Sequence, residues 1–296
     1  MADAPDLSAA YSHCETLART HDRDRFLAAL FAPPPVRRDL CTLYAFNLEV
    51  ARVREVVREP MPGELRLQWW RDLIEGLGRG EVSGHPVAAA LLDLLGRTDI
   101  PKGALLNLIE ARTFDLYDDP MPSLNDLEGY AGETSSVLIQ LSAGLLLGRQ
   151  DAKIANASGH AGVAIAITGL MRALPLTAPR GQCFLPMDIL AAYGGSREDV
   201  VGRKTTPAVR DTLTALRARA VHHVTEAVSA LRDVPVAALP AFLPLTLVAP
   251  DLAALSRAED PFARVVGASR LRRQWLLWRA ARKARAGQAF VTLPVA

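Results

Sequence analysis

Apolar residues recur at intervals of three and four along nearly the whole chain of 296 residues. This spacing places them on one face of an α-helix, whereas a half-buried strand needs apolar and polar residues in alternation. Alanine and leucine, which favour helix, are abundant, and alternating runs of β-branched residues are few. The pattern therefore predicts an all-α protein.

The boundaries of the predicted helices are marked by short segments rich in proline and glycine, such as "APPP" at 32–35 and "DDPMPS" at 118–123. No long linker separates the helices, so we expect a single helical bundle over residues 1–290 and a short tail at 291–296. The predicted helices lie at about 7–20, 23–31, 36–58, 62–79, 86–96, 102–117, 124–147, 152–174, 206–232, 237–255 and 262–286.

The segment "LPAFLPLTLVAP" at 239–250 is the most apolar part of the chain that also contains several prolines. Proline removes a backbone donor that a helix in lipid needs, so this pattern predicts a broken helix in the protein core. Because every long apolar stretch contains a charge or a proline, we expect no transmembrane helix.

Charge and cysteine content narrow the classes of function. Lys+Arg and Asp+Glu number 34 and 32, a balance that does not suggest a nucleic-acid partner. Cys14, Cys41 and Cys183 are far apart and lack the C-x-x-C spacing, which argues against a disulfide framework and against a zinc site. The beginning, "MADAPDLSAA", lacks the features of a secretory or transit peptide. We therefore expect a protein of the reducing cytoplasm.

Several short motifs occur in a characteristic order: "PVRR" at 35–38, "LYAF" at 43–46, "WWR" at 69–71, "HPV" at 85–87, G-x-A at 162–164 and "RGQCFLP" at 180–186. In this order they resemble the squalene/phytoene synthase family, over roughly residues 8–280. The resemblance implies the type I isoprenoid synthase fold, a single large helical bundle. It also implies that catalytic members condense isoprenoid diphosphates head to head, with Mg²⁺ held by two aspartate-rich boxes.

Both boxes are degenerate in this chain. The first, of the type D-D-x-x-D, falls on 51–55, where Glu55 is the one carboxylate. The second falls on 166–177, where Arg172 is kept and the acids are absent. Mg²⁺ prefers carboxylate oxygens, yet the sequence has none between Asp151 and Asp188. The sequence therefore predicts no metal site, no cofactor and no catalytic residue.

Among family branches, the chain most resembles a non-synthase one whose mitochondrial member is an assembly factor for respiratory complex I. The resemblance is carried by "AFNLEVARVRE" at 45–55, "LRLQWWRDLIEG" at 65–76, "LEGYAGETSSVLIQL" at 127–141 and "FLPMDIL" at 184–190. It implies a non-catalytic protein whose partners are complex I subunits or assembly intermediates.

Two alternatives stay open. The sequence therefore leaves enzymatic activity undecided, although it favours a protein without activity. One is an active prenyl transferase of the squalene/phytoene type, which would need Mg²⁺ on Glu49, Glu55 and Glu133. Its weakness is that Glu49, Arg52 and Glu55 alternate in sign at a spacing of three, so each carboxylate has a cationic neighbour. The other alternative is a lipid-binding module without an assembly role.

Residues at or near the motif positions are candidates for a remnant pocket that would bind a prenyl diphosphate or another lipid. Arginine pairs with phosphate in a bidentate manner without metal, although each arginine could equally serve a surface or structural ion pair. The acidic cluster Asp115, Asp118 and Asp119 is interpreted as a solvated loop. The candidate pocket residues are Arg37, Arg38, Tyr44, Asn47, Glu49, Arg52, Glu55, Arg71, Arg172 and Arg180.

The segment "SRLRRQWLLWRAARKARAG" at 269–287 is a basic amphipathic helix with two tryptophans. Such helices suit an anionic membrane surface or an acidic partner, and the alternative is a bundle helix with a solvated arginine face. We expect peripheral attachment at the inner face of the cytoplasmic membrane. The candidate surface residues are Arg270, Arg272, Arg273, Trp275, Trp278, Arg279, Arg282 and Lys283.

Overall fold

A computed structural model describes residues 6–57, 59–77 and 84–294, and every regular element in these ranges is helical. The predicted all-α class is therefore confirmed. The predicted helix ends at 58 and 79, and parts of the N-terminal segment 1–10 and of the tail 291–296, lie outside these ranges. The α-helices are α1 Leu7–His21, α2 Arg23–Ala29, α3 Pro34–Ala51, α4 Val53–Val56, α5 Pro60–Glu75, α6 Pro86–Arg97, α7 Lys102–Thr113, α8 Leu124–Ala131, α9 Val137–Leu147, α10 Lys153–Thr177, α11 Met187–Ala192, α12 Arg197–Val201, α13 Pro207–Ala230, α14 Val248–Ser256 and α15 Arg270–Arg285.

Two core clusters organise the described part of the chain. One contains buried residues of α10, α13, α14 and α15, and the other contains those of α1, α3, α5, α6 and α7. Helix α9 contributes to both, with Ile139 in the first cluster and Leu141 in the second. Because α9 also packs against α3 and α10, it joins the helix that ends where the first degenerate box begins to the helix that carries the second box.

The predicted helix at 124–147 is interrupted by a π-helical turn, Gly132–Ser136, between α8 and α9. The Ser136 hydroxyl donates to the carbonyl of Gly159 at 2.8 Å, which fastens this turn to α10. At Gly162, one turn further along α10, an added Cβ would lie 2.3 Å from the Ser136 Cα. Glycine therefore allows the backbones of α10 and the π turn to approach closely.

The predicted helix at 262–286 is too long, since α15 starts at Arg270 after the N-cap Ser269. In residues 262–269, two backbone groups instead bind distant side chains. The Arg172 guanidinium donates to the carbonyl of Val266 at 2.8 Å, and Ala268 N–H donates to Asp251 at 3.2 Å. The short helices α11 and α12 were not predicted either, because five or six residues carry too little periodicity to be recognised.

The proline-containing apolar segment forms a 3₁₀ helix, Val236–Leu247, that continues into α14. By length and composition alone, this region and Lys153–Arg180 could each cross a membrane. In the folded protein, however, 67% and 50% of their most apolar windows are buried. Their burial against other helices is typical of core elements, as the prolines predict for the first of them.

Candidate functional site

The first motif begins on the buried side of α3. Tyr44 is 3% exposed, and its hydroxyl accepts a hydrogen bond from Ser142 of α9 at 3.2 Å. Burial raises the pKa of Tyr44 to about 12, so the phenol stays neutral. Asn47, one turn later, is also buried, and its side-chain oxygen has no hydrogen-bond partner among the described residues. Both side chains belong to the packed interior, and Tyr44 joins α3 to α9.

The end of the motif lies at the surface, where α3 stops and α4 begins. Arg52 donates to Glu55 at 2.8 Å, and Arg180 approaches the same carboxylate at 3.5 Å. Burial alone would raise the pKa of Glu55, but the hydrogen bond and charge of Arg52, together with Arg180, lower it. The one carboxylate left at the first box is therefore neutralised by guanidinium groups.

At the second motif position, Arg172 of α10 is part of a network with Asp24, Asp251 and Arg273, which we call the second-motif network. Arg172 lies 3.2 Å from Asp251. Arg273 of α15 donates to Asp251 at 2.7 and 2.8 Å and to Asp24 at 2.6 Å. Asp251 is 3% exposed, so its charge is stabilised by these two arginines rather than by water.

The network lines a cavity of about 120 Å³ between α2, α10, α14 and α15. Its charged side chains are three cations and three carboxylates, so it presents no excess positive charge to an anion. The volume is also below the roughly 300 Å³ at which small-molecule sites begin. The charged residues that line it are Asp22, Asp24, Arg25, Arg172, Asp251 and Arg273.

The donor groups at the two motif positions do not fit Mg²⁺. Glu55 is bound by two arginines, and the second position supplies a guanidinium, which repels a cation. Within residues 6–57, 59–77 and 84–294, no three His, Cys, Asp or Glu side chains are grouped so as to hold a metal ion. We therefore derive no metal-dependent step for this site.

Of the ten candidate pocket residues, Arg172 is the one that lines this cavity. Arg37 donates to the backbone carbonyls of Leu30 and Ala32 at 3.1 and 3.4 Å. The guanidinium of Arg38 stacks over the ring of Tyr11, 4.2 Å from its centre. Each of these arginines therefore has a structural partner away from the cavity.

The remaining candidates do not line the cavity either, although Tyr44 lies near its residues Asp22 and Arg25. Arg71 forms an ion pair with Glu110 across α5 and α7, and Glu49 is half-buried on α3. Arg52, Glu55 and Arg180 form the exposed group described above. These candidates therefore have separate partners in several parts of the bundle, and their binding of a prenyl diphosphate or another lipid stays a prediction.

Sequence reasoning missed the carboxylates of the network. Asp251 is the one charged residue in the apolar stretch from 234 to 256, and a buried charge needs a partner. The isolated position of Asp251 could have predicted a buried ion pair, but it does not reveal which arginine is the partner. Asp22, Asp24 and Arg25 lie in "HDRDR" at 21–25, which reads as an ordinary solvated segment.

The acidic cluster at 115–119 is only partly a solvated loop. Asp115 is 7% exposed, and it is bound by Arg112 at 3.0 Å and by the Tyr130 hydroxyl at 2.8 Å. Burial raises the pKa of Asp115 although Arg112 opposes this effect. The solvated interpretation is wrong for Asp115, whereas Asp118 is exposed and pairs with Arg54 at 3.2 Å.

Most of the candidate surface residues on α15 are indeed exposed. Trp275 and Trp278 are 50% and 46% exposed. Lys283 is partly buried, and Arg273 is further buried because its side chain is 12% exposed and belongs to the second-motif network. The predicted place of Arg273 on the outer surface is therefore wrong.

The sequence pattern of the squalene/phytoene synthase family matches residues 18–279. The chain therefore belongs to the squalene/phytoene synthase family, which confirms the resemblance seen in the motifs.

Within this family, the chain is 34% identical over 242 residues to "NADH dehydrogenase (ubiquinone) complex I, assembly factor 6" of Rattus norvegicus, covering 82% of the chain and 72% of that protein. The protein of the same name from Homo sapiens is 34% identical over 231 residues, covering 78% and 69%. In structure, the chain is similar to squalene synthase HpnC from Alicyclobacillus acidocaldarius, with a TM-score of 0.72, 23% identity and coverage of 85% and 95%. This likeness confirms the isoprenoid synthase fold.

Proposed function

We propose that this protein is an assembly factor for respiratory complex I and does not transfer prenyl groups. The observation that carries the proposal is that both motif positions are occupied by ion pairs within the protein, Glu55 with Arg52 and Asp251 with Arg172 and Arg273. A prenyl transferase needs these positions free to bind metal and diphosphate. The assembly role is supported by the 34% identity to relatives named as complex I assembly factors.

The cavity supports the same conclusion by its size. About 120 Å³ is too small for a prenyl chain with its diphosphate, given that drug-sized ligands occupy roughly 300 Å³ or more. A prenyl diphosphate or lipid ligand at this cavity would require α2, α10 and α15 to separate and break the second-motif network. Lipid binding inside the bundle stays a prediction, and the assembly role does not depend on it.

We propose that the protein binds a complex I subunit or an assembly intermediate at the inner face of the cytoplasmic membrane. We also propose that no cofactor is involved. We further propose a reducing compartment, in which free cysteines stay unpaired. Cys14 and Cys41 are buried and unpaired, and burial raises the pKa of each to about 12, so neither thiol is reactive.

The test uses cells that make complex I and lack this protein. We expect little assembled complex I on native gels, with restoration by the wild-type chain and by Glu55→Gln. Because Glu55 serves only a surface ion pair under this proposal, its neutral isostere should support wild-type levels. In parallel, the purified protein incubated with farnesyl or geranylgeranyl diphosphate and Mg²⁺ should form no product.

Two results would contradict the proposal. Formation of a squalene- or phytoene-like product that Glu55→Gln abolishes would establish the prenyl transferase. Normal complex I levels in cells that lack the protein would remove the assembly role.

A further inference from the structure

Helix α15 has two apolar faces. Leu277, Ala280, Ala281 and Ala284 are buried and hold the helix against the 3₁₀ helix Val236–Leu247. On the other side, Leu271, Trp275 and Trp278 are 80%, 50% and 46% exposed. Their spacing of four and three places them on one face. The helix is therefore anchored in the bundle and still presents an apolar stripe to its surroundings.

Cationic side chains surround this stripe. Arg270, Arg272, Arg279, Arg282 and Lys283 form no ion pair with a carboxylate in the described part of the chain. No Asp or Glu occurs from Phe262 to the C-terminus, so the segment itself offers no counter-charge. Arg273 differs from these five, since it points inward to Asp24 and Asp251.

The arginines and tryptophans of the stripe also contact each other. The Arg279 guanidinium lies 5.2 Å from the centre of the Trp275 ring, and that of Arg282 lies 5.0 Å from Trp278. Cation–π contacts of this kind keep the positive groups beside the rings at the surface. Tryptophan flanked by cations matches the boundary between lipid head groups and acyl chains, where an indole ring places its apolar part in the lipid and its N–H in the wet layer.

We propose that α15 binds an anionic lipid bilayer with its axis in the membrane plane. Leu271, Trp275 and Trp278 enter the head-group region, and the unpaired arginines contact lipid phosphates. Charge complementarity favours an anionic bilayer as the partner, because the cations without a carboxylate partner surround the exposed apolar stripe of α15. The inference goes beyond the assembly role, since it concerns the purified protein and lipid alone.

The experiment is co-flotation of the full chain with phosphatidylcholine vesicles, with and without roughly 30% phosphatidylglycerol. We expect binding to the anionic vesicles alone, weakening by about tenfold or more between about 0.05 and 0.5 M NaCl as the charges are screened. Arg279→Glu/Arg282→Glu and Trp275→Ser/Trp278→Ser should each weaken binding about tenfold or more. All four side chains are exposed, so circular dichroism should show an unchanged fold.

The matched control is Arg210→Glu/Arg232→Glu, which makes the same change of charge at two exposed arginines, one near the start of α13 and one just beyond its end. It should bind like the wild type apart from a small effect of net charge. Equal losses in the control and the α15 variants, or absence of binding to anionic vesicles, would overturn the proposal. The proposal would also be overturned by α15 variants that bind vesicles normally but fail in complex I assembly. That result would indicate that α15 binds an acidic protein partner. Failure of the assembly role alone would leave the vesicle result unchanged.

Discussion

Arg273 donates two hydrogen bonds to Asp251, at 2.7 and 2.8 Å, from a helix at the end of the chain to the core helix α14. Arg172 shares the same carboxylate at 3.2 Å. A buried carboxylate thus supplies the negative charge beside both arginines. The arginine kept at the second motif position therefore has a structural partner inside the bundle.

The first prediction is that Asp251→Asn destabilises the protein by about 3–5 kcal/mol, because it leaves two arginines around a buried neutral side chain. The free energy of unfolding in urea measures the loss. As a control, Arg149→Ala breaks an ion pair with Asp151 in which the arginine is 67% exposed, and it should change stability by no more than about 0.5 kcal/mol. A loss below about 1 kcal/mol for Asp251→Asn would mean that Asp24 and water neutralise both arginines.

The second prediction concerns the Tyr130 hydroxyl, which accepts from Arg112 at 2.6 Å and donates to Asp115 at 2.8 Å. Tyr130→Phe should cost about 1–3 kcal/mol in unfolding free energy, because it removes a partner from two charged groups with little access to water. Tyr193→Phe removes a hydroxyl from a side chain that is 49% exposed and should be neutral within about 0.5 kcal/mol. Equal effects of the two variants would show that water replaces the hydroxyl of Tyr130.

The third prediction is a loss of stability in mild acid. His160 and His223 share a hydrogen bond of 2.9 Å between their Nδ1 atoms, and His223 also contacts Glu128 at 3.1 Å. Burial lowers the pKa of both imidazoles, although Glu128 raises that of His223 and Glu226 raises that of His160. The charge of Arg219 lowers the pKa of both imidazoles, and His222 lowers that of His160.

The folded-state pKa values of His160 and His223 lie below the unfolded value of about 6.5. The two imidazoles therefore contribute stability that is fully present above that pH and is lost as the pH falls through the folded-state values. The wild type should therefore lose more unfolding free energy between pH 7.5 and 5.5 than His160→Gln/His223→Gln. The exposed His13→Gln serves as the control and should keep the wild-type dependence. An unchanged dependence in the double variant would exclude this pair as its source.

The fourth prediction tests the contact between α10 and the π turn. Gly162→Ala would place a Cβ 2.3 Å from the Ser136 Cα, so the backbones must move apart, and we expect a loss of about 1–3 kcal/mol. Gly159→Ala lies on the same helix with no atom within 4 Å of the added Cβ. It should stabilise the protein by about 0.5–1 kcal/mol through helix propensity, as thermal unfolding would record. A stabilising Gly162→Ala would contradict the close packing.

The contrast between prediction and structure is clearest at α15. The sequence predicted its basic, amphipathic character and the exposure of Trp275 and Trp278. The start of α15 could not be predicted, because the Val266 carbonyl and the Ala268 N–H bind Arg172 and Asp251 instead of joining a helical turn. Helix periodicity is a local signal and contains no information about such distant partners.

The sequence by itself determined the helical class, the family and the loss of the metal-binding acids, since each depends on which residues stand at which spacing. Only the tertiary structure decided which charges meet. Arg273 and Asp24 are separated by 249 positions, yet they lie 2.6 Å apart because α15 packs against α2. Ion pairing depends on the distance between side chains and on the exclusion of water, and both arise only when the helices pack together.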